Sequence, residues 1–124
     1  MSSFALQQAV FAALGTIGVP VYDHVPRDAA PPFVVIGEGT VNDWSTKTET
    51  GSEHLLTIHM WSRGAGMQEA RALADAVRAA LDGAALSVAG ATLIGIAFQS
   101  AQFTRQKDGV TLRAALKFRA VTEP

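Results

Sequence analysis

The chain contains no cysteine. Disulfides, thiolate metal sites and cysteine nucleophiles are therefore excluded. A reducing cytosol fits, although exported proteins also do without cysteine. Charge of neither sign is in excess. Ten basic and eleven acidic residues leave a net charge of −1, so no global field draws the protein onto nucleic acid. No apolar run approaches the roughly 20 residues that a membrane-spanning helix needs. Met1-Ser2-Ser3-Phe4 has no basic stretch ahead of an apolar one, so no signal peptide is expected. Internal repeats and low-complexity tracts are also lacking. The patterns H-E-x-x-H, G-x-S-x-G and the P-loop do not occur.

The remaining composition is that of a folding chain. Its 124 residues suit one domain, 1–124, and 48% hydrophobic against 17% charged residues provide for a core. The charge is unevenly spread. Up to Ser62, two bases (Arg27, Lys47) stand against six acids (Asp23, Asp28, Glu38, Asp43, Glu49, Glu53), a net of −4; from Arg63 onward eight bases stand against five acids, a net of +3. Solvated surface charge accounts for this. So does a ring of identical copies in which an acidic flank meets a basic one.

Gly51–Asp82 organises the rest. Glu53–Trp61 is rich in β-branched and aromatic residues and reads as a strand. Leu56, Ile58 and Met60 share one face, and Leu55, Thr57, His59 and Trp61 the other. Apolar bulk on both faces implies that the second is covered as well, for instance by a neighbouring subunit. Ser62–Gly66 is a turn. Met67–Leu81 then repeats apolar residues at helical spacing, burying Met67, Ala70, Leu73, Ala74, Val77 and Leu81. Gln68, Glu69, Arg71, Asp75 and Arg78 fall on the water side, and Asp82-Gly83 stops the helix.

Elsewhere, Ser2 or Ser3 caps a first helix over 4–14, with Leu6, Val10, Leu14 and Phe11 buried. Residues 19–24 are extended, and 25–32, with three prolines, form a loop. Phe33–Gly39 is a strand whose Gly37 and Gly39 suggest a bulge or a close backbone approach. Asn42–Ser52 is long and polar, with Trp44 its one large apolar residue. It reads either as a hairpin loop with a tucked tryptophan or as a segment that orders against a partner. Leu86–Val88 is a short strand. Thr92–Arg105 is a long strand with a bulge near Ser100-Ala101, where the apolar parity slips. Lys107-Asp108-Gly109 is a hairpin turn. Val110–Val121 alternates, with Val110, Leu112, Ala114, Leu116, Phe118 and Ala120 inward and Thr111, Arg113, Lys117 and Arg119 outward. The fold class expected is α+β: a two-layer arrangement of an antiparallel β-sheet of four to five strands with two helices on one face.

Chemistry-bearing groups are sparse. His54 and His59 point to opposite strand faces and cannot share a metal. His24 beside Asp23 could be an acid–base pair, but neighbours in extended chain diverge. Gly64-x-Gly66 precedes a helix whose start could hold an anion, or it is a plain turn. Glu38, Asp43, Glu49 and Glu53 lack metal-loop spacing. Arg113, Lys117 and Arg119 share one strand face without interleaved exposed aromatics, which suits an interface rim better than nucleic acid. A small ligand-binding or enzymatic domain built on His24 or the Gly64–Gly66 helix start is the alternative from a different functional class. It would require a concave pocket with perturbed titratable groups.

Five stretches taken in order carry a resemblance. They are Val21-Tyr22-Asp23-His24-Val25-Pro26; Pro32-Phe33-Val34-Val35-Ile36-Gly37; Gly51-Ser52-Glu53-His54 leading into Trp61-Ser62-Arg63; the alanine-rich helix; and Leu116-Lys117-Phe118-Arg119-Ala120. Over almost its whole length the chain resembles the tail completion, or tail terminator, family of long-tailed phages, prophages and phage-like gene transfer agents. The resemblance implies a virion structural protein, made in the bacterial host cytoplasm, with no enzymatic activity, catalytic residue, metal or cofactor. It implies a homo-hexameric ring on the head-proximal end of the tail tube that ends tube polymerisation and gives the head a docking surface. The partners implied are further copies of the chain, the major tail tube protein, the head-completion or stopper protein and the tape measure protein. DNA passes through the lumen without sequence-specific binding, and no membrane is involved. A stopper or tail-joining protein of the same connector is the neighbouring alternative. Beside that resemblance, the residues offer two contact surfaces. Trp44, Thr46, Lys47, Thr48 and Glu49 are expected to touch tube or connector. Leu55, His59, Trp61, Arg113, Lys117 and Arg119 are expected at the contact between copies.

Overall fold

The computed structural model describes residues 3–63 and 67–124. The expected Ser2 cap and the Gly64-x-Gly66 anion site lie outside those residues. In chain order the elements are α1 (Ser3–Ala13) with a 3-10 turn at Leu14–Thr16, β1 (Val21–Tyr22), β2 (Phe33–Asp43), β3 (Ser52–Ser62), α2 (Gln68–Leu81), β4 (Thr92–Arg105) and β5 (Leu112–Glu123). The strands form one sheet in the order β1-β2-β3-β5-β4. All pairings are antiparallel except the edge pair β1–β2, which is parallel. The sheet is thus mixed at one margin. The α+β class and its two layers are as the sequence indicates. No helix among the described residues is long and apolar enough to cross a membrane.

Both helices pack on one face of the sheet. Leu6, Val10 and Leu14 from α1, and Leu73, Ala74, Val77 and Leu81 from α2, close over Val34, Ile36, Ile58, Met60, Leu116 and Phe118. The alternation in β3 and β5 explains this: His54, Ile58, Met60 and Ser62, then Leu112, Ala114, Leu116, Phe118 and Ala120, are all buried. Burying a side chain such as Phe118 contributes roughly 1.5–3 kcal/mol. His54 sits among these apolar groups, 1% exposed, with Nε2 2.9 Å from Thr122 Oγ1. Burial lowers its pKa below the ordinary 6.5 and favours the neutral ring.

Several local expectations are corrected. Phe11 is exposed, because α1 turns it away from the Leu6–Val10–Leu14 stripe. Met67 precedes α2 as its N-cap residue and is only half-buried. Leu86–Val88 forms no strand, although Val88 is buried. Val110 is exposed and Thr111 buried, the reverse of the expected parity, because β5 begins only at Leu112. The turn before it is held by Asp108, which accepts hydrogen bonds from the Thr111 hydroxyl and N–H and from the Val110 N–H. These donors, those of Thr111 foremost, pull the Asp108 pKa down to about 2. The expected bulges are present: β2 shifts register between Ile36 and Gly39, and β4 between Phe98 and Ser100, with a further shift between Leu93 and Gly95.

Candidate functional site

Opposite the helices lies the bare face of the sheet, and cross-strand register assembles it. Trp61 pairs with Arg113, His59 with Ala115, Thr57 with Lys117 and Leu55 with Arg119. All six residues expected at a contact between copies (Leu55, His59, Trp61, Arg113, Lys117 and Arg119) therefore lie side by side on this face. A shallow groove along it, about 500 Å³, is lined by Glu38, Thr40, Leu55, Thr57, His59, Arg113 and Lys117, among others.

Two ionic clusters order the face. In one, His59 Nε2 donates to Glu38 Oε1 at 2.7 Å. That hydrogen bond is the main cause of a lowered Glu38 pKa. The imidazole lies so close to β2 that a Cβ at Gly37 would be 2.5 Å from His59 Cδ2 and 3.1 Å from Thr57 O. The glycine expected to permit a close approach thus permits this one. Nearby, His59 Nδ1 and Arg113 Nε are buried and have no hydrogen-bond partner among the described residues. At Arg113 Nε, an acceptor supplied by a partner would relieve a cost of about 1–3 kcal/mol.

The second cluster joins the two expected contact surfaces. Arg119 Nε donates to Glu53 Oε2 at 2.5 Å, and Asn42 Nδ2 donates to Glu53 Oε1 at 3.3 Å. Arg119 first, then Asn42, hold the Glu53 pKa down. The same guanidinium lies 5.5 Å from the centroid of the Trp44 ring, within cation–π range. Trp44 is 52% exposed, and Leu55, beside Arg119, is exposed as well. Trp44 is therefore continuous with the bare sheet face.

The hairpin carrying Trp44 is shorter than expected. Asn42 and Asp43 belong to β2 and Ser52 to β3, leaving 44–51 as the connection. Its tip has its own bonds. Trp44 N–H donates to Gly51 O at 3.0 Å, and Thr46 N–H donates to Glu49 O at 2.8 Å. Glu49 N–H donates to Thr46 Oγ1, and Ser45 N–H and hydroxyl donate to Asp43. Thr46, Lys47, Thr48 and Glu49 project, exposed, at the end of a defined turn.

Sequence reasoning missed Glu38, Glu53, Asn42 and Gly51 as parts of this surface. Glu38 and Glu53 had drawn notice only as carboxylates without metal spacing. Gly51 is buried where a Cβ would meet Trp44 O at 3.2 Å. His24 and Asp23 are both exposed, and no bond joins them among the described residues. Nor do three or more potential metal ligands gather there.

Comparison with known proteins decides what such a face belongs to. A family model described as tail completion protein gp17 matches residues 4–123. The chain belongs to this family. A curated relative, the tail completion protein gp17 of Bacillus phage SPP1, is 30% identical over 93 residues, 75% of this chain and 69% of that protein. A chain in the solved virion of a native gene transfer agent particle is 35% identical, covers 99% of this chain and 98% of its own length, and superposes with a TM-score of 0.90. A further solved structure, 14% identical with a TM-score of 0.65, shares the fold alone. The family is one of structural tail components of phage and gene transfer agent virions, and its members are not enzymes.

Proposed function

We propose that the chain acts as one domain that assembles into a six-membered ring on the head-proximal end of a tail tube, where it ends tube polymerisation and presents the surface on which the head docks. The observation that carries this reading is the helix-free sheet face. Apolar Leu55 and Trp44, polar groups already ordered by the His59–Glu38 and Arg119–Glu53 contacts, and the buried Arg113 Nε, which has no hydrogen-bond partner among the described residues, lie on one continuous surface. Exposed aromatic and arginine side chains of this kind dominate binding energy at protein interfaces. The acidic and basic halves of the chain suit a head-to-tail contact that closes by rotation. The Thr46–Glu49 tip, projecting from the end of β2 and β3, is placed to touch the tube or the head-side connector. The ring's neighbours are then the major tail tube protein and the head-completion or stopper protein. DNA crosses the lumen without being read.

Imaging of assembled particles with this chain located, together with deletion of its gene, tests the reading. A closed ring at the head–tail joint, and tails of uncontrolled length or without heads on deletion, are expected. Normal tails joined to heads in its absence would end the proposal.

A further inference from the structure

The sheet has two outer edges, and each is only partly closed by the chain itself. At β4, Phe98 N–H donates to Asp82 Oδ1 at 2.9 Å and Gly83 N–H donates to Ile96 O at 2.8 Å. The connection after α2 thus covers the middle of the strand. Gln99 bulges, and the alternation restarts. Gln106 N–H bonds to Thr111 O, so the alternate residues Thr104, Gln102 and Ser100 turn their amides to β5. Ala101, Phe103 and Arg105 turn theirs outward. At the other edge, β1 covers β2 only at Val34 and Val35. Trp44 N–H bonds to Gly51 O, so Asn42 and Thr40 face β3, and Gly39, Val41 and Asp43 turn outward. None of these six outward residues makes a backbone hydrogen bond beyond its own ladder among the described residues.

We propose that these two free stretches pair with each other between neighbouring copies, 101–105 of one against 39–43 of the next, so that the sheet runs on from copy to copy. The inference rests on the ring reading above and names its joint.

Three observations carry it. The first is parity. Ala101 and Phe103 lie against α2, and Gly39 and Val41 beside α1, so both outward sets have their side chains on the helix side. Pairing their amides keeps all helices on one side of the joined sheet. The second is direction. β4 runs antiparallel to β2 within one copy, through β5 and β3, so a rotation that continues the sheet brings the two edges together antiparallel. The third is charge. No acid occurs from Thr92 to Lys107, which includes Arg105, and no base occurs from Asp28 to Thr46, which includes Glu38 and Asp43. Natural edge strands are usually blunted by charge or proline, and 92–104 carries neither. The two stretches are offset along the strands, since Phe103 lies level with Met60 through Ala114, and Val41 level with His54. Strands tilted in a closed sheet supply such a stagger.

The absence of native cysteine makes cross-linking a direct test. Ser100, Gln102 or Thr104→Cys would each be combined in one chain with Thr40 or Asn42→Cys, six pairs in all, and oxidised on assembled particles. These residues face inward to their own ladders and so oppose one another at the close, non-hydrogen-bonded positions of the new one. At least one pair should give a ladder of covalent multimers. No multimers from any of the six, on particles where imaging still shows a ring, overturns the joint and leaves the ring. Absence of a ring on unmodified particles removes the ring reading itself. A covalent dimer from Gln102→Cys alone shows that β4 pairs with β4, or that the edge is otherwise placed, and also overturns the proposal. Ala101→Pro and Val41→Pro remove an outward N–H and spare the internal ladder. Ring assembly should be lost with thermal unfolding nearly unchanged, and retained assembly in both folded variants counts against the joint.

Discussion

The two faces of the sheet are made by the same strands and solve opposite problems. The helix side is closed over its centre by apolar side chains and His54, with Gly39 and Ala101 near the two edges left exposed. The bare side is half-buried by the chain's own polar pairs, His59 with Glu38 and Arg119 with Glu53, with Trp44 and Leu55 still exposed. Surface pairs of this kind contribute little to stability. The bare face therefore adds little to the stability of one copy. Its groups are arranged for contact, and the difference predicts that substitutions will separate folding from assembly according to face.

The largest effect should come from the closed side. Phe118→Ala should lower unfolding free energy by about 3–5 kcal/mol, read by denaturant or thermal unfolding. Unchanged unfolding would break the contrast at its stronger pole. Gly37→Val tests where the faces meet. Its side chain would collide with His59 and the Thr57 carbonyl, and overpacking of this sort costs about 1–3 kcal/mol. The His59 ring resonances should move away from their Glu38-bonded positions, and a variant that keeps them shows that the close approach is not needed.

A smaller effect should appear with pH. Because His54 has a lowered pKa in the fold, its contribution is intact above the ordinary 6.5 and declines as pH falls through its folded value. Stability should drop on acidification below about 6.5, and His54→Asn should flatten that part of the profile. If the two profiles coincide, His54 is not the group responsible. On the bare side, Leu55→Asp and Lys117→Glu should change stability by no more than about 0.5 kcal/mol and yet impair capping of tubes. A particle that assembles normally with both would remove this face from the contact. Least visible in unfolding should be deletion of Thr46–Thr50 or Trp44→Ala, which should leave the fold intact and weaken capping of tubes. Tails of normal length would reduce the tip to a connector.

How much of this was legible beforehand varies along the chain. Strand β3 and helix α2 were readable because a period of two and a period of 3.6 are local, and their inward residues fall where those periods put them. The bulge in β4 was readable for the same reason, as a break in parity, and the one in β2 from Gly37 and Gly39. Phe11 and Val110 were not. Each is apolar, and only the angle at which α1 crosses the sheet, or the point where the Asp108 turn releases the chain into β5, sets which way it points. The contact residues on β3 and β5 could be proposed from alternation. The glutamates that order them could not, because Glu38 meets His59, and Glu53 meets Arg119, only across strands.

The order of residues by itself determined the two helices, the long strands, the face each of them buries and the bulges, because these depend on neighbours within a few positions. The family resemblance was also legible in it. Only the tertiary structure decided which strands are neighbours, and with them the ion pairs, the position of Trp44 over Arg119 and the two partly open edges. Those features depend on register between segments far apart in the chain, such as those that carry Trp44 and Arg119, and no local pattern encodes such a register.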